Sequence, residues 1–261
     1  MFWISLKNMK ARNLSRNFLA ALTLALFAMR GFAAAQEVPQ FDDGNRLYEA
    51  GKFADAKEAY GKLMKTGPWS ANLFYNLGNA EWKLGDAGQA ALDYERALAL
   101  RPGHPEARTN LEFVRNRTGA RVFARSWWEE WLGVLNPTAA AVLGALCAWV
   151  FVFCMAARTM KPGARTAANI VLMLAALLGG AYAGGAMWMG QTAAGKATII
   201  AKTTPARVAP ADTAPAADTL PAGSEVLAPE ARGAWTYCTL PSGARAWVAT
   251  GAVERVALPA P

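Results

Sequence analysis

The stretch Asn72–Pro102 reads NLFYNLGNAEWKLGDAGQAALDYERALALRP, and it decides the fold of the N-terminal part of this 261-residue chain. Its pattern repeats that of the stretch before it, FDDGNRLYEAGKFADAKEAYGKLMKTGP. Residues of the two stretches correspond at a spacing of 34: Gly44 and Gly78, Asn45 and Asn79, Tyr48 and Trp82, Gly51 and Gly85, Ala56 and Ala90, Tyr60 and Tyr94, Pro68 and Pro102. A period of this length is typical of stacked helical units, each of which buries its apolar face only against its neighbours.

The repeated residue types have physical reasons. Small residues such as Gly44 and Gly78 let two helices approach closely, and the paired tyrosines fill the space beside them. Gly51 and Gly85 suit the turn between the helices, because a helix end often needs a residue in the left-handed region. The paired prolines end the second helix of each unit.

Together these residues resemble the tetratricopeptide repeat, a 34-residue helical hairpin, over Glu37–Pro102. A third first-helix, His104–Gly119, is predicted to cap the stack, so that the repeat region spans residues 37–118. Glu81 stands where the family usually has an aromatic residue. His104, the single histidine of the chain, lies in the turn PGHP and is predicted to be solvated.

The resemblance implies a concave face, lined by the first helices, that captures a peptide or a partner's helix. The predicted partner-binding residues on this face are Asn45, Tyr48, Glu49, Asn72, Tyr75, Asn79, Trp82 and Lys83. Alternatively, Tyr48 and Trp82 only pack against neighbouring repeats. Some family members clamp a C-terminal carboxylate with paired asparagines and three cationic residues. Phe41, Glu106 and Asn110 stand at the cationic places here, so that clamp is not predicted.

Residues 1–35 are predicted to be a secretion signal. Phe18–Met29 is a short apolar run behind a basic start, and Ala33 and Ala35 form an A-x-A pattern with a cut after Ala35. An uncleaved signal anchor is the alternative. This segment holds five basic and no acidic residues, so it supplies most of the formal charge of +8. Nucleic-acid binding is therefore discounted.

Two later segments are long enough to cross a bilayer. The chain is 54% hydrophobic with a mean hydropathy of +0.12, and transmembrane helices are predicted over residues 132–157 and 166–190. The short loop between them, residues 158–165, is basic and should stay cytoplasmic, which places both large flanks outside. The juxtamembrane segment, residues 119–131, carries three tryptophans suited to the membrane interface. The Gly- and Ala-rich second span is interpreted as packing on the first, with dimerisation or partner docking as the alternative.

The C-terminal part contains a hairpin pattern. The runs AWTYCTL and ARAWVAT alternate in polarity and flank a PSG turn. Residues 197–258 resemble the bacterial SH3-type domain, a small β-barrel, through LPAGSEV, Trp235, this turn and AWVATGAVERV. Trp235, Tyr237 and Trp247 are predicted to form its ligand-binding surface. The alternative is that Trp235 and Trp247 belong to the core or rim of the barrel.

No catalytic residues, metal site or cofactor is predicted, because no nucleophile with a base, acid pair or ligand cluster is evident. Cys147 and Cys154 lie in the first span without C-x-x-C spacing, and Cys238 lies alone outside it. The chain is accordingly predicted to be no enzyme.

The order of the parts resembles the BatE-type proteins of the Bacteroides aerotolerance operon. The resemblance implies a multidomain membrane protein with α-helical tetratricopeptide repeats, a two-helix transmembrane hairpin and a small all-β SH3-like barrel. It implies a scaffold in the inner membrane, with repeats and barrel on the periplasmic side, in an aerotolerance or envelope stress complex. The implied partners are von Willebrand factor A-type membrane proteins of the same operon. The alternative is an accessory protein that binds peptidoglycan through the SH3-type domain.

Overall fold

The computed structural model describes residues 39–66, 69–160, 167–192 and 195–257, so the predicted signal peptide lies outside the described residues. Residues 40–261 cluster as one compact unit and residues 1–39 as another. The helices are α1 (Pro39–Glu49), α2 (Phe53–Thr66), α3 (Ala71–Lys83), α4 (Ala87–Leu100), α5 (Pro105–Thr118), α6 (Trp127–Leu132), α7 (Pro137–Met160) and α8 (Ala167–Thr192). The strands are β1 (Lys196–Ile199), β2 (Thr203–Arg207), β3 (Ala216–Pro221), β4 (Glu225–Arg232), β5 (Trp235–Thr239), β6 (Arg245–Ala249) and β7 (Val253–Arg255).

Helices α1 to α4 form two helical hairpins, as the 34-residue period predicts. Gly51 and Gly85 adopt φ values of 74° and 86° in the turns between the helices, which are left-handed conformations that suit glycine. A Cβ atom on Gly78 would lie 2.9 Å from the ring of Tyr94, so the close approach of α3 and α4 requires glycine. Gly44 meets the ring of Tyr60 in the same way. The predicted roles of these residues are confirmed.

Helix α5 continues the stack as a third first-helix. Its residues Ala107, Leu111 and Val114 are buried in one cluster with Phe74 and Tyr94 of the second hairpin. His104 is only 4% exposed and accepts a hydrogen bond from the backbone N–H of Ala107 at the start of the helix. The prediction of a solvated His104 is therefore wrong, because the side chain caps a helix that packs on the preceding repeat.

Helices α7 and α8 pack against each other and are long and apolar enough to cross a membrane. Only 11% and 17% of the most apolar 18-residue segments of α7 and α8 are buried, whereas the core helix of a soluble protein is mostly buried. Helix α7 begins later than residue 132, because Leu132 ends α6 and Asn136 caps α7 by accepting from the N–H of Ala139. Gly179 and Ala183 of α8 lie against α7: a Cβ atom on Gly179 would lie 2.7 Å from the Sγ of Cys147, and one on Gly144 would lie 3.5 Å from the Cβ of Ala183. Residues 161–165 of the predicted basic loop lie outside the described residues, as does residue 166, the predicted start of the second span.

The seven strands form an antiparallel sheet with the order β3-β2-β6-β5-β4-β1-β7. Alternate residues of β5 and β6 are buried in one apolar cluster, to which Cys238 and Val248 belong. The predicted hairpin is confirmed, since β5 pairs with β6 with Tyr237 opposite Trp247. The turn closes where Leu240 donates to the carbonyl of Ala244 at 2.8 Å, with Gly243 at a φ of 81°.

The sheet packs directly on the helical repeats. A Cβ atom on Gly88 of α4 would overlap the backbone of Ile200, and one on Gly223 would lie 3.2 Å from the Cβ of Ala91. Between α5 and α6, the backbone carbonyl of Arg121 accepts from the N–H of Glu225 at 2.8 Å. The sheet therefore covers the face of α4 that a further repeat would otherwise cover.

Buried charges join the two parts. Arg115 of α5 contacts the carboxylates of Glu95, within α4, and Glu225, at the start of β4, the latter at 2.9 Å. Arg125 also contacts Glu225, at 3.0 Å. Glu95 further accepts from the hydroxyl of Thr198. Because the side chains of Glu95 and Glu225 are only 9% and 4% exposed, each carboxylate depends on the arginines beside it.

Candidate functional site

A polar cavity of about 280 Å³ lies between the first helices α1 and α3. Its lining residues, which we call the groove, are Asn45, Tyr48, Glu49, Tyr60, Asn76 and Asn79. The structure thus brings together four of the eight predicted partner-binding residues. Asn45, Tyr48 and Glu49 lie three and four positions apart, so they share one face of α1. Asn79 stands at the place on α3 that corresponds to Asn45 on α1.

A hydrogen-bonded unit of one tyrosine and two asparagines is built into the groove. The amide oxygen of Asn45 accepts from the hydroxyl of Tyr60 and from the amide of Asn76, both at 2.8 Å. The same unit recurs one repeat later, where the oxygen of Asn79 accepts from Tyr94 at 2.7 Å and from Asn110 at 2.9 Å. We call these the first and second Tyr–Asn–Asn units.

Burial keeps both tyrosines of these units protonated. It raises the pKa of Tyr60 to about 12 and also raises the pKa of Tyr94. Each hydroxyl therefore remains a donor at any physiological pH and fixes the asparagine that accepts from it. As a result, Asn45 and Asn79 are part of the repeat's internal bonding as well as of the groove surface.

The other predicted partner-binding residues lie outside this cavity. Tyr75 packs on His104, with ring centroids 5.0 Å apart, and Asn72 accepts from Arg101 at 2.8 Å. Trp82 makes an edge contact with Phe113 of α5 at 5.4 Å while remaining partly exposed. Lys83 is exposed beside the ring of Phe53, which also contacts Tyr48. Tyr48 and Trp82 thus pack on neighbouring helices, as the alternative supposed, but neither is fully buried.

Sequence reasoning did not identify Tyr60 and Asn76, which line the groove, or Asn110, which makes the bond of Asn76 again one repeat later. The sequence predicts Tyr60 only as a space-filling residue, and Asn110 enters only at a cationic place of the carboxylate clamp. The signal was present, because Asn76 and Asn110 also stand 34 positions apart. The period identifies them as equivalent, but only the packed helices show that each donates to the asparagine of the preceding first helix.

A larger, open hollow of about 920 Å³ lies on a different face of α1 and α2. Its charged residues neutralise one another, as in the ion pairs of Arg46 with Asp43 and of Lys62 with Glu58. Such exposed ion pairs contribute little to the stability of the fold, and they leave no unmatched charge to attract a ligand. The hollow is therefore a less specific surface than the groove.

The outer face of the sheet carries the second predicted surface. Trp235, Tyr237 and Trp247 point away from the apolar cluster, because the residues between them on β5 and β6 are the buried ones. The rings of Tyr237 and Trp247 lie 4.9 Å apart. All three side chains are partly exposed, so Trp235 and Trp247 lie at the edge of the apolar cluster and not inside it.

A buried acidic pair lies on α3 and α4. Glu81 of α3 is 4% exposed, and burial together with the neighbouring Asp93 raises its pKa to about 9, against the opposing effect of Lys57. Lys57 is 3.4 Å from Glu81 but is partly exposed and shared with Asp86, so burial outweighs it. Asp93 stays paired with Arg96 at 3.2 Å. A neutral Glu81 thus fills the place where the family usually has an aromatic residue. Among the described residues, no three metal-type ligands converge on one point.

Comparisons with known proteins agree with the helical repeats. Residues 71–104 match the model of the Tetratricopeptide repeat family. Among solved structures, the chain is similar to PcrH in the crystal structure of PcrH in complex with the chaperone binding region of PopB. The identity is 18%, the match covers 54% of this chain and 90% of that chain, and the TM-score of 0.29 makes the likeness too distant to carry an argument. No curated protein matches the chain. Residues 71–104 are therefore a tetratricopeptide repeat, and such a repeat indicates the binding of another protein.

Proposed function

We propose that the protein is a non-enzymatic scaffold anchored in a membrane, which binds exported or membrane proteins through the groove. The observation that carries this proposal is the polar cavity shared by the first helices of two consecutive repeats. Its lining offers hydrogen-bonding and aromatic groups, which suit recognition, and it contains no nucleophile with an adjacent base.

Contacts between the repeats and the sheet support a topology in which both lie on the same side of the membrane. These two parts flank the apolar pair α7 and α8 in the chain, yet Arg96 of α4 contacts Glu254 of β7 at 2.5 Å. Parts in direct contact lie on one side of a bilayer, which requires a pair of spans between them rather than one. Together with the basic loop and the signal pattern, this favours the inner membrane with both domains on the periplasmic side.

Membrane topology gives the first test of this proposal. In a variant with Cys147 and Cys154 replaced by serine, Lys62→Cys and Ser242→Cys should both react with an impermeant maleimide in intact cells after outer-membrane permeabilisation. Both positions are exposed, one on α2 and one in the β5–β6 turn. Lys161→Cys, in the basic loop, should react only after cell lysis. Labelling of positions 62 and 242 from opposite sides would contradict both the hairpin and the docking of the two parts.

The proposed partners follow from the order of the parts. This order resembles that of BatE-type proteins, with the sheet corresponding to their SH3-type domain. Under this proposal the chain binds von Willebrand factor A-type membrane proteins of its operon, in an aerotolerance or envelope stress complex. Because the repeats and the sheet are docked on each other, the groove is held at a fixed position relative to the sheet and near the membrane.

Crosslinked co-purification from native membranes tests the partner. Tyr48→Ala with Glu49→Ala alters the groove without removing an atom of either Tyr–Asn–Asn unit, so the fold should persist. We expect von Willebrand factor A-type proteins with the wild type and at least a tenfold smaller yield with this double variant. Tyr237→Ala with Trp247→Ala, the matched control on the sheet, should leave that yield unchanged. Equal recovery of the partners with the groove double variant and with the wild type would rule out the groove as the binding site.

The outer face of the sheet supports a second candidate function, a wall-binding accessory protein. The partly exposed pair of Tyr237 and Trp247 is a stacking surface of the kind that binds peptides or sugars. This candidate predicts that wall fragments and wall enzymes co-purify instead, and that the sheet variant rather than the groove variant loses them.

A further inference from the structure

We infer that α6 and the turn after it are inserted in a lipid leaflet, and that the acyl chains and glycerol region of the lipids are their partner. We call residues 127–136 the wedge, and the leaflet is the one on the side of the repeats and the sheet. The wedge rests on the membrane anchor proposed above and adds a lipid-binding surface to it. Its exposed apolar side chains and its depth beside α8 both indicate this role.

The wedge exposes large apolar side chains that no described part of the chain covers. Trp127 and Trp131 are largely exposed, and Val134, in the turn between α6 and α7, is 60% exposed. Exposing three such side chains to water within a short segment is unfavourable. Tryptophan combines an apolar body with one N–H donor, which suits the region where acyl chains meet the lipid carbonyls.

Two contacts fix the end of α6 beside α8. The hydroxyl of Tyr182 donates to the backbone carbonyl of Trp131 at 2.9 Å. A Cβ atom on Gly185 would lie 3.0 Å from the Cδ2 atom of Leu132, the last residue of α6. Because α8 continues to Thr192, the end of α6 lies against the side of the second apolar helix and not above its end.

The depth of this contact follows from the pairing of the two apolar helices. Their apolar segments, Thr138–Thr159 and Ala167–Gly190, have their midpoints close together, because Gly179 of α8 lies against Cys147 of α7. We therefore place the bilayer centre at this contact. Gly185 is six positions further along α8, which is about 9 Å, whereas one leaflet of the hydrocarbon core is about 15 Å thick. The end of α6 thus lies within the hydrocarbon, about 6 Å below its surface.

The other end of α6 is polar, as is required of a helix that enters a leaflet from outside. The carboxylate of Glu129 accepts from the backbone N–H of Ser126 at 2.9 Å, which holds its charge at the start of the helix. Arg125, one position earlier, pairs with Glu225 of the sheet at 3.0 Å. Since charges are costly in hydrocarbon, α6 enters the leaflet with its C-terminal end and stays joined to the sheet at its N-terminal end.

Thiol labelling in phosphatidylcholine nanodiscs tests the depth of the wedge. In the full chain with Cys147 and Cys154 replaced by serine, Val134→Cys and Val122→Cys are compared for their rate of reaction with a charged maleimide. Val122 lies before α6, in the segment bonded to the sheet, and is 43% exposed. Exposure within the protein alone predicts the faster reaction at position 134. The wedge predicts a rate at least tenfold lower there, because a thiol in hydrocarbon meets neither water nor the charged reagent.

Val152→Cys distinguishes failure of the wedge from failure of the membrane anchor. Val152 lies near the middle of α7 and is exposed within the protein. Reaction at position 152 at the rate of Val122→Cys would contradict the membrane anchor itself. Protection of position 152 together with fast reaction of Val134→Cys would overturn the wedge without contradicting the anchor. After denaturation the three thiols should react at one rate, which shows that folding and lipid cause the difference.

Relaxation by labelled lipids identifies what covers the wedge. The chain carries ten tryptophans, which are replaced by 5-fluorotryptophan and assigned by single Trp→Phe variants. With a nitroxide on carbon 5 of the acyl chain, the ¹⁹F signal of Trp131 should broaden at least threefold more than that of Trp82 in the repeats. Trp149, exposed on α7, should broaden most with a nitroxide near the end of the acyl chain. Protection of Val134→Cys without broadening of Trp131 would mean that another protein covers the wedge, which would overturn the assignment to lipid.

Discussion

Replacing Arg115 with methionine is expected to separate the sheet from the helical repeats. Arg115 lies between Glu95 and Glu225, whose side chains are 9% and 4% exposed. Burial by itself favours the neutral form of Glu225, but Arg115, Arg125 and Lys196 outweigh it and hold the pKa of this carboxyl below its usual range. Removing one partner of a buried ion pair leaves the other charge uncompensated, which costs about 3–5 kcal/mol.

The measurement is a urea titration of the full chain in detergent, combined with limited proteolysis of the segment between α5 and α6. We expect a lower midpoint and new cleavage at residues 120–125, which the wild type protects by bonding this segment to β4. Arg117→Met is the matched control, because Arg117 is exposed two positions further along and should change stability by less than about 0.5 kcal/mol. Equal effects of the two substitutions would show that the buried charges do not hold the parts together.

The stability of the repeats is expected to fall as the pH rises, and Glu81→Gln is expected to abolish much of that fall. The pKa of Glu81 is raised from 4.5 to about 9 in the folded protein, chiefly by burial. The folded state therefore binds a proton that the unfolded state has released between these values. Its contribution to stability is fully present below pH 4.5 and is lost as the pH rises towards 9, by about 1 kcal/mol per pH unit.

Asp93 acts in the same direction, since burial raises its pKa to about 6. Glutamine has the shape of a protonated glutamate and can donate to Asp93, so the variant keeps the hydrogen bond without the titration. Urea midpoints from pH 5 to pH 9 should fall for the wild type and change much less for Glu81→Gln, which should be the more stable of the two at pH 8–9. Glu112→Gln, on the exposed side of α5, should follow the wild type. The same slope for Glu81→Gln and the wild type would mean that Glu81 is not the group that titrates.

Much of the helical part could be predicted, because its determinants are local. The 34-residue period identifies the glycines of the turns, which need a left-handed conformation. It also identifies the glycines at which two helices meet closely and the tyrosines that pack against those glycines. The β5–β6 hairpin could also be predicted, because alternating polarity and a turn sequence determine the register of two strands over a few residues. The apolar helices follow from composition alone, although the start of α7 depended on a cap that hydropathy does not detect.

The errors and omissions concern residues whose environment is formed by distant parts of the chain. His104 follows a turn pattern but is buried in the packed repeats. Asn76 and Asn110 each bond to the preceding first helix, and Asn76 lines the groove. Glu81 could be flagged as unusual, but its proton is a consequence of burial beside Asp93.

The sequence by itself determined the repeat, the turns, the two apolar helices and the strand pattern, because periodicity, chain flexibility and hydropathy act over neighbouring residues. The tertiary structure alone decided how the repeats end. The sheet, more than 100 residues away, covers α4, and Arg115 joins Glu95 to Glu225 across that contact. No local pattern encodes such a pairing, since the free energy of these charges depends on burial that exists only once both surfaces have met.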